Sequence, residues 1–286
     1  MPTTLITGCS TGFGFETAVY FARKGHRVVA TMRNLGKSGP LKEVAAKDKL
    51  DVIVSRLDLD DPASIKQAVA DAGPIDVLVN NAGLAGAAPL EEMPEDEHRK
   101  IFEANYWGQL RVIQAVLPDM RARRAGAIVN VTSIAGRLAL FNQVAYCASK
   151  YAFEAASEIL AAEVKAFGIR VAVVEPGIFK TAIFDNAAAQ NHYDKASPYF
   201  HIMKRNAKMY GAGLRNPGKV EDVAATIYEA ATTSNPKLRW LVGEDAFKLV
   251  GKRQQMTDEQ WVALGDAMDD ADYNAAYKRL FDIELK

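Results

Sequence analysis

The sequence predicts an α/β fold: a single domain whose parallel sheet is covered by helices. Two observations predict it. Strand-like and helix-like segments alternate through the first two thirds of the chain with short connections, the pattern of repeated β-α-β units. The strand-like runs, among them Arg27–Thr31 (RVVAT) and Arg170–Val174 (RVAVV), are continuous and β-branched, as expected of strands buried on both faces. A chain of 286 residues, 49% of them apolar, suits one large domain.

Leu5-Ile6 reads as the first strand and Gly12–Lys24 as the first helix. Strands are expected at Arg27–Thr31 and Asp51–Leu57, then a helix at Pro62–Asp71 with proline in its first turn, where a missing N–H costs nothing. Ile75–Val79 is a short strand, and Pro94–Arg123 contains a long helix. Ala127–Val131 (AIVNV), Ala145–Phe167 and Arg170–Val174 continue as strand, helix and strand. After Pro176-Gly177 the regularity breaks. Residues 181–216, rich in Ala, Asn, Tyr and Met and without a clear period, read as a substrate lid. A helix at about Val220–Thr232 and a strand at Leu238–Val242 follow. Residues 244–286 form a C-terminal extension, amphipathic from Thr257 onward, that serves packing or oligomer contact.

Thirty-five basic residues balance thirty-five acidic ones, so no bulk charge draws the chain to nucleic acid or an anionic membrane. Cys9 and Cys147 lack metal-binding spacing, and the four histidines form no His-x-x-x-His pair, so no metal site is expected. The chain enters a strand almost at once, without a basic segment and long apolar core, and no apolar run approaches a membrane span. A cytoplasmic protein is expected.

Two stretches carry chemistry. Directly after the first strand stands Thr7-Gly8-Cys9-Ser10-Thr11-Gly12-Phe13-Gly14. Glycines between a strand and a helix let the backbone approach a pyrophosphate, and the helix N-terminus supplies N–H donors and a favourable dipole. The second stretch holds Ser133, Tyr146 and Lys150. Tyr146 and Lys150 are one helical turn apart and share a helix face. A nearby ammonium favours the phenolate, easing proton exchange by tyrosine, and a serine hydroxyl can hydrogen-bond a reacting carbonyl oxygen.

These motifs resemble those of the short-chain dehydrogenases/reductases, and the resemblance covers about the first 180 residues. Thr7-Gly8-x-x-x-Gly12-x-Gly14 is similar to the family's cofactor loop. Asn80-Asn81-Ala82-Gly83 is similar to its motif after the fourth strand, which stabilises the sheet and faces the adenosine side. Asn105 resembles the asparagine of a catalytic tetrad completed by Ser133, Tyr146 and Lys150. Pro176-Gly177-x-x-x-Thr181 is similar to the segment that holds the nicotinamide carboxamide. The resemblance implies a Rossmann-type, doubly wound sheet with helices on both faces and the cofactor across the carboxyl ends of its strands. Tyr146 is then the general acid/base and Ser133 polarises the carbonyl. Lys150 binds the nicotinamide ribose and lowers the Tyr146 pKa, while Asn105 holds a water of a proton relay, unless it serves only as a helix-kink residue. Asp58 follows the third strand at the position where the resembled family contacts adenine, and adenine contact is expected of it; the alternative role, capping the following helix, suits Asp60 or Asp61 better by position.

Cofactor choice is read after the second strand, where NAD-preferring enzymes place an acid for the ribose 2′-hydroxyl. Here stands Thr31-Met32-Arg33-Asn34. Arg33 suits a 2′-phosphate, and Ser10 adds a hydroxyl, so NADP(H) is expected. The residues after Ser133 (136–142), with Ile183, Phe184, Tyr193, Tyr199, Phe200, Met203, Met209 and Tyr210, suggest an apolar pocket for a small lipophilic carbonyl or alcohol. The Ala30–Asn34 segment resembles the retinol- and 17β-hydroxysteroid-dehydrogenase-like branch. A homodimer or homotetramer is implied by the same resemblance. Competing readings are a non-catalytic NADPH sensor, which the retained Ser133, Tyr146 and Lys150 disfavour, and an NADP-dependent epimerase or dehydratase.

Overall fold

The computed structural model describes residues 1–182 and 193–285. Seven strands, β1 (Thr3–Ile6), β2 (Arg27–Met32), β3 (Val52–Arg56), β4 (Val77–Asn80), β5 (Gly126–Val131), β6 (Ile169–Pro176) and β7 (Arg239–Val242), form one parallel sheet in the order β3-β2-β1-β4-β5-β6-β7. The chain winds outward from β1 to β3, then returns to place β4 on the other side of β1. Connections leaving β1 and β4 therefore diverge and open a crevice at the carboxyl ends of those strands.

Both faces of the sheet are buried. Along β2, Val28 and Ala30 enter one apolar cluster and Val29 the other, as a period of two requires. The first cluster includes Phe21 of α1 (Gly12–Arg23) and Ile227 of α8 (Val220–Thr232). The second joins Leu5, Leu78 and Ile128 to α3 (Pro62–Ala72), α5 (Gly108–Arg123) and α6 (Val144–Lys165). No helix among the described residues is long and apolar enough to cross a membrane.

Three elements differ from the sequence reading. The helix expected within Pro94–Arg123 is α4 (Glu95–Phe102) and α5 joined by a π-helical turn, Glu103–Trp107, with Asn105 at its centre. The helix α2 (Gly39–Asp48) carried no apolar signal, and only Leu41 of it is buried. Within the expected lid, residues 200–215 form α7 (Phe200–Arg215). Its inward residues are Met203, Arg205, Asn206 and Met209, so polar side chains on the buried face hide the helical period. The lid positions Ile183 and Phe184 lie outside the described residues.

The C-terminal extension contains α9 (Glu244–Arg253), α10 (Asp258–Val262) and α11 (Asp270–Phe281). Leu249, Tyr273, Tyr277 and Phe281 pack with Ile134, Leu138 and Leu140, directly after Ser133. Buried Arg205 ties α7 to this extension. It donates to the carbonyls of Leu264 (3.0 Å), Asp266 (3.1 Å) and Met268 (3.0 Å) and stacks 4.3 Å from the Tyr273 ring centroid.

Candidate active site

The crevice at the switch point is a cleft of about 290 Å³. Its lining includes Gly8, Ser10, Thr11, Gly12, Phe13, Arg33, Asp58, Asn81, Ala82, Gly83 and Thr181, so most of the expected cofactor residues meet there. Gly8 has φ +75°, which disfavours any side chain, and a Cβ on Gly14 would stand 2.3 Å from the Gly8 carbonyl oxygen. Those glycines let α1 start tight against β1. Thr11 precedes α1 without a side-chain hydrogen bond to it, and no acid stands in the first turn. The first N–H groups of the helix are thus left open to an anionic group. The Asn80-Asn81-Ala82 segment fixes the loop. The Thr7 hydroxyl accepts from the backbone of Asn81 (2.9 Å) and Ala82 (3.0 Å), and the Asn81 amide donates to the Thr7 carbonyl (2.9 Å). Asn80 donates to Asn130 on β5 at 2.9 Å, securing β4 from the other side.

At the adenosine end, Asp61 caps α3 by accepting from Ala63 (3.1 Å) and Ser64 (3.2 Å). Asp58 is therefore not the cap, and it lines the cleft. Arg33 is exposed and, among the described residues, has no hydrogen bond or ion pair. Lys37 lines the cleft with Arg33, a second cation that the sequence reading missed. The residues present fit a dinucleotide.

A second cavity, about 380 Å³, meets the first at Phe13 and Thr181, which line both. Ser133, Tyr146, Pro176 and Gly177 stand in its wall. The Tyr146 hydroxyl is hydrogen-bonded to Ser133, whose oxygen also accepts from the Ala135 N–H at 3.1 Å. Burial pushes the Tyr146 phenol up to about 12, while the bond to Ser133 pulls the other way. The lowering expected from Lys150 is not seen: burial dominates, and the influence that opposes it is the bond to Ser133.

Lys150 lines neither cavity. It is buried behind Gly83, donates to the Val131 carbonyl (3.2 Å) and lies 5.7 Å from the Tyr146 ring centroid. Burial draws its ammonium down to about 8, opposed by the charge of Glu154. At neutral pH it is mostly cationic. Asn105 is fully buried and committed: Oδ1 accepts from the Leu84 N–H (2.7 Å), and Nδ2 donates to the Leu84 carbonyl (2.8 Å) and Ser149 (3.0 Å). Both amide hydrogens are used, so the side-chain capacity left for the expected relay is the second lone pair of Oδ1.

Other contacts at the site were not legible in the sequence. Asp245, in the first turn of α9, accepts from the Ile178 N–H at 2.7 Å and holds the turn after Pro176-Gly177. Gln143 and Tyr210 bond one another across the second cavity at 2.7 and 2.9 Å. Each contact joins positions 67 residues apart, and no local spacing encodes it. Of the expected pocket residues, Leu140, Asn142, Tyr193, Met203 and Tyr210 line the cavity, whereas Met209 packs with the C-terminal extension.

The family model described as short chain dehydrogenase matches residues 2–192. Retinol dehydrogenase 8 of Homo sapiens is 37% identical over 253 residues, 83% of this chain and 80% of that protein. The Bos taurus protein of the same name is 44% identical over 61% of this chain and 58% of its own length. Human 17-beta-hydroxysteroid dehydrogenase type 1 is 32% identical over 87% of this chain and 80% of that protein. A solved short-chain dehydrogenase from Streptomyces avermitilis superposes with a TM-score of 0.79 at 33% identity, covering 92% of this chain and 98% of that one. With its parallel sheet, glycine loop and Ser133–Tyr146–Lys150 set, the chain belongs to the short-chain dehydrogenase family of oxidoreductases, in the branch of the retinol and 17β-hydroxysteroid dehydrogenases.

Proposed function

We propose that the protein is an NADP(H)-dependent, cytoplasmic oxidoreductase interconverting a lipophilic carbonyl compound and its alcohol. One observation carries the reading: Ser133 and Tyr146 are hydrogen-bonded in the wall of a mostly apolar cavity that meets a dinucleotide-shaped cleft. The nicotinamide, when bound, supplies or accepts the hydride. Glycines 8, 12 and 14 and the open start of α1 hold the pyrophosphate, Asp58 faces adenine, and Thr181 spans cleft and cavity. Ser133 orients the carbonyl oxygen. Tyr146, protonated at neutral pH, gives its proton to that oxygen during reduction and takes it back during oxidation. The phenolate left behind is stabilised by the bond to Ser133, and the Lys150 ammonium stands 5.7 Å from the ring centroid. Arg33, with no hydrogen bond or ion pair among the described residues, and Lys37, which lines the same cleft, favour the 2′-phosphate of NADP(H).

Nicotinamide absorbance, followed with NADPH and NADH over a panel of lipophilic ketones and aldehydes, tests this reading. NADPH should be the better reductant, Tyr146→Phe should lose at least about 100-fold in rate, and Arg33→Ala should weaken NADPH more than NADH. Faster turnover with NADH overturns the cofactor assignment alone. NADPH binding without turnover across the panel counts against the reductase.

A further inference from the structure

The second cavity is apolar over most of its wall but concentrates amide side chains where its upper helix meets the start of α6. Asn206 of α7 is 7% exposed and lines the cavity, yet its Oδ1 has no hydrogen-bond partner among the described residues. Asn142, also in the wall, has a buried Oδ1 without a partner and a φ of +61°. That left-handed backbone is held by a residue type whose short polar side chain tolerates it. Gln143, next to Asn142, and Tyr210, one helical turn after Asn206, satisfy one another and keep α7 against the start of α6. Of the buried side-chain oxygens without a partner among the described residues, these two line the second cavity, where a bound molecule can reach them.

We propose that Asn206 and Asn142 form a polar subsite for a second hydrogen-bonding group of the substrate, remote from the reacting carbon. The inference rests on the oxidoreductase reading above and narrows its substrate class. An amide presents an acceptor and donors, and rotation about its last torsion exchanges them; a hydroxyl, which both donates and accepts, is the matching group. The substrate is thus a lipophilic hydroxy-ketone or hydroxy-aldehyde, or the corresponding diol, rather than a plain hydrocarbon carbonyl. A site built to bond a hydroxyl discriminates against the analogue lacking it, because its own polar atoms stay unpaired.

The test compares 2-alkanones of graded length with the ω-hydroxy-2-alkanones of the same lengths. Binding to the NADP⁺-saturated protein is read by calorimetry, and turnover by NADPH absorbance. At the chain length that spans Tyr146 to the subsite, the hydroxyl should improve Kd and kcat/KM by about tenfold or more. Asn206→Leu should bring that ratio to near one, and Asn142→Gly, which keeps the positive φ, should reduce it; thermal unfolding confirms that each variant is folded. No gain from the hydroxyl at any length overturns the subsite, as does a gain that both variants retain. Failure of the oxidoreductase reading shows differently, as binding with an intact hydroxyl preference and no NADPH oxidation.

Discussion

Lys150 shows what the site demands of a single residue. Its ammonium is 5% exposed and its pKa falls from 10.5 to about 8, a shift worth at most about 3 kcal/mol. Below about pH 8 both the folded and unfolded chains hold the proton, so the full cost burdens the native state. As pH rises from about 8 to 10.5 the native state releases its proton first and the cost disappears. Tyr146 acts in the opposite sense: its folded pKa of about 12 lies above the ordinary 10, and the stability it contributes is lost as pH climbs through that window. Lys150→Met should therefore abolish turnover yet stabilise the fold by about 1–2 kcal/mol near neutral pH, after losing the bond to Val131. Urea unfolding at about pH 7 and about pH 9.5 would show that gain shrinking at the higher pH. A variant less stable than wild type at both values sinks the argument. Ser133, Tyr146 and Lys150 were legible because their relation is local spacing on one helix and its preceding loop. Asn206 was not, since its meaning depends on a cavity assembled from distant segments.

At the scale of elements, legibility followed burial pattern. Strands such as β5 and β6 announce themselves because both faces are apolar. The helix α7 does not, because Arg205 and Asn206 occupy its buried face. Among the described residues Arg205 pairs with no carboxylate; three backbone carbonyls and the Tyr273 ring compensate its charge. Residues 264–268 thereby gain donors that their own local structure does not provide, and α7 gains a fixed distance from α11. Replacing Arg205 by Met keeps the volume but leaves those carbonyls unpaired, which should cost about 2–4 kcal/mol. Chemical denaturation monitored by near-ultraviolet circular dichroism would register the loss, and a change within about 0.5 kcal/mol would show the clamp to be ornamental. Because α7 also carries Asn206 and Tyr210, the variant should raise KM for lipophilic carbonyls more than it weakens NADPH.

For the molecule as a whole, strand order is the decisive property, and it was the least readable from residue patterns. Alternation predicts parallel strands but not which neighbours pair; the reversal between β1 and β4 followed only from the glycine loop and the motifs around it. The packing of the C-terminal extension on the segment after Ser133 was equally hidden, since amphipathic periodicity does not name its partner. The surface carries one further whole-molecule consequence. Tyr151 and Ile159, eight residues apart and so on one face of α6, are 42% and 59% exposed, and Trp107 at the start of α5 is 50% exposed. Large apolar side chains left outward on these two long helices favour association with a second copy. A homodimer or homotetramer should therefore dominate in light scattering at micromolar concentration, and Ile159→Glu should shift it toward smaller species by placing a charge in the contact. None of the residues lining the cofactor cleft comes from α6, so NADPH affinity should survive the substitution. A wild-type monomer independent of concentration would remove the association, and an oligomer indifferent to Ile159→Glu would move it to another face.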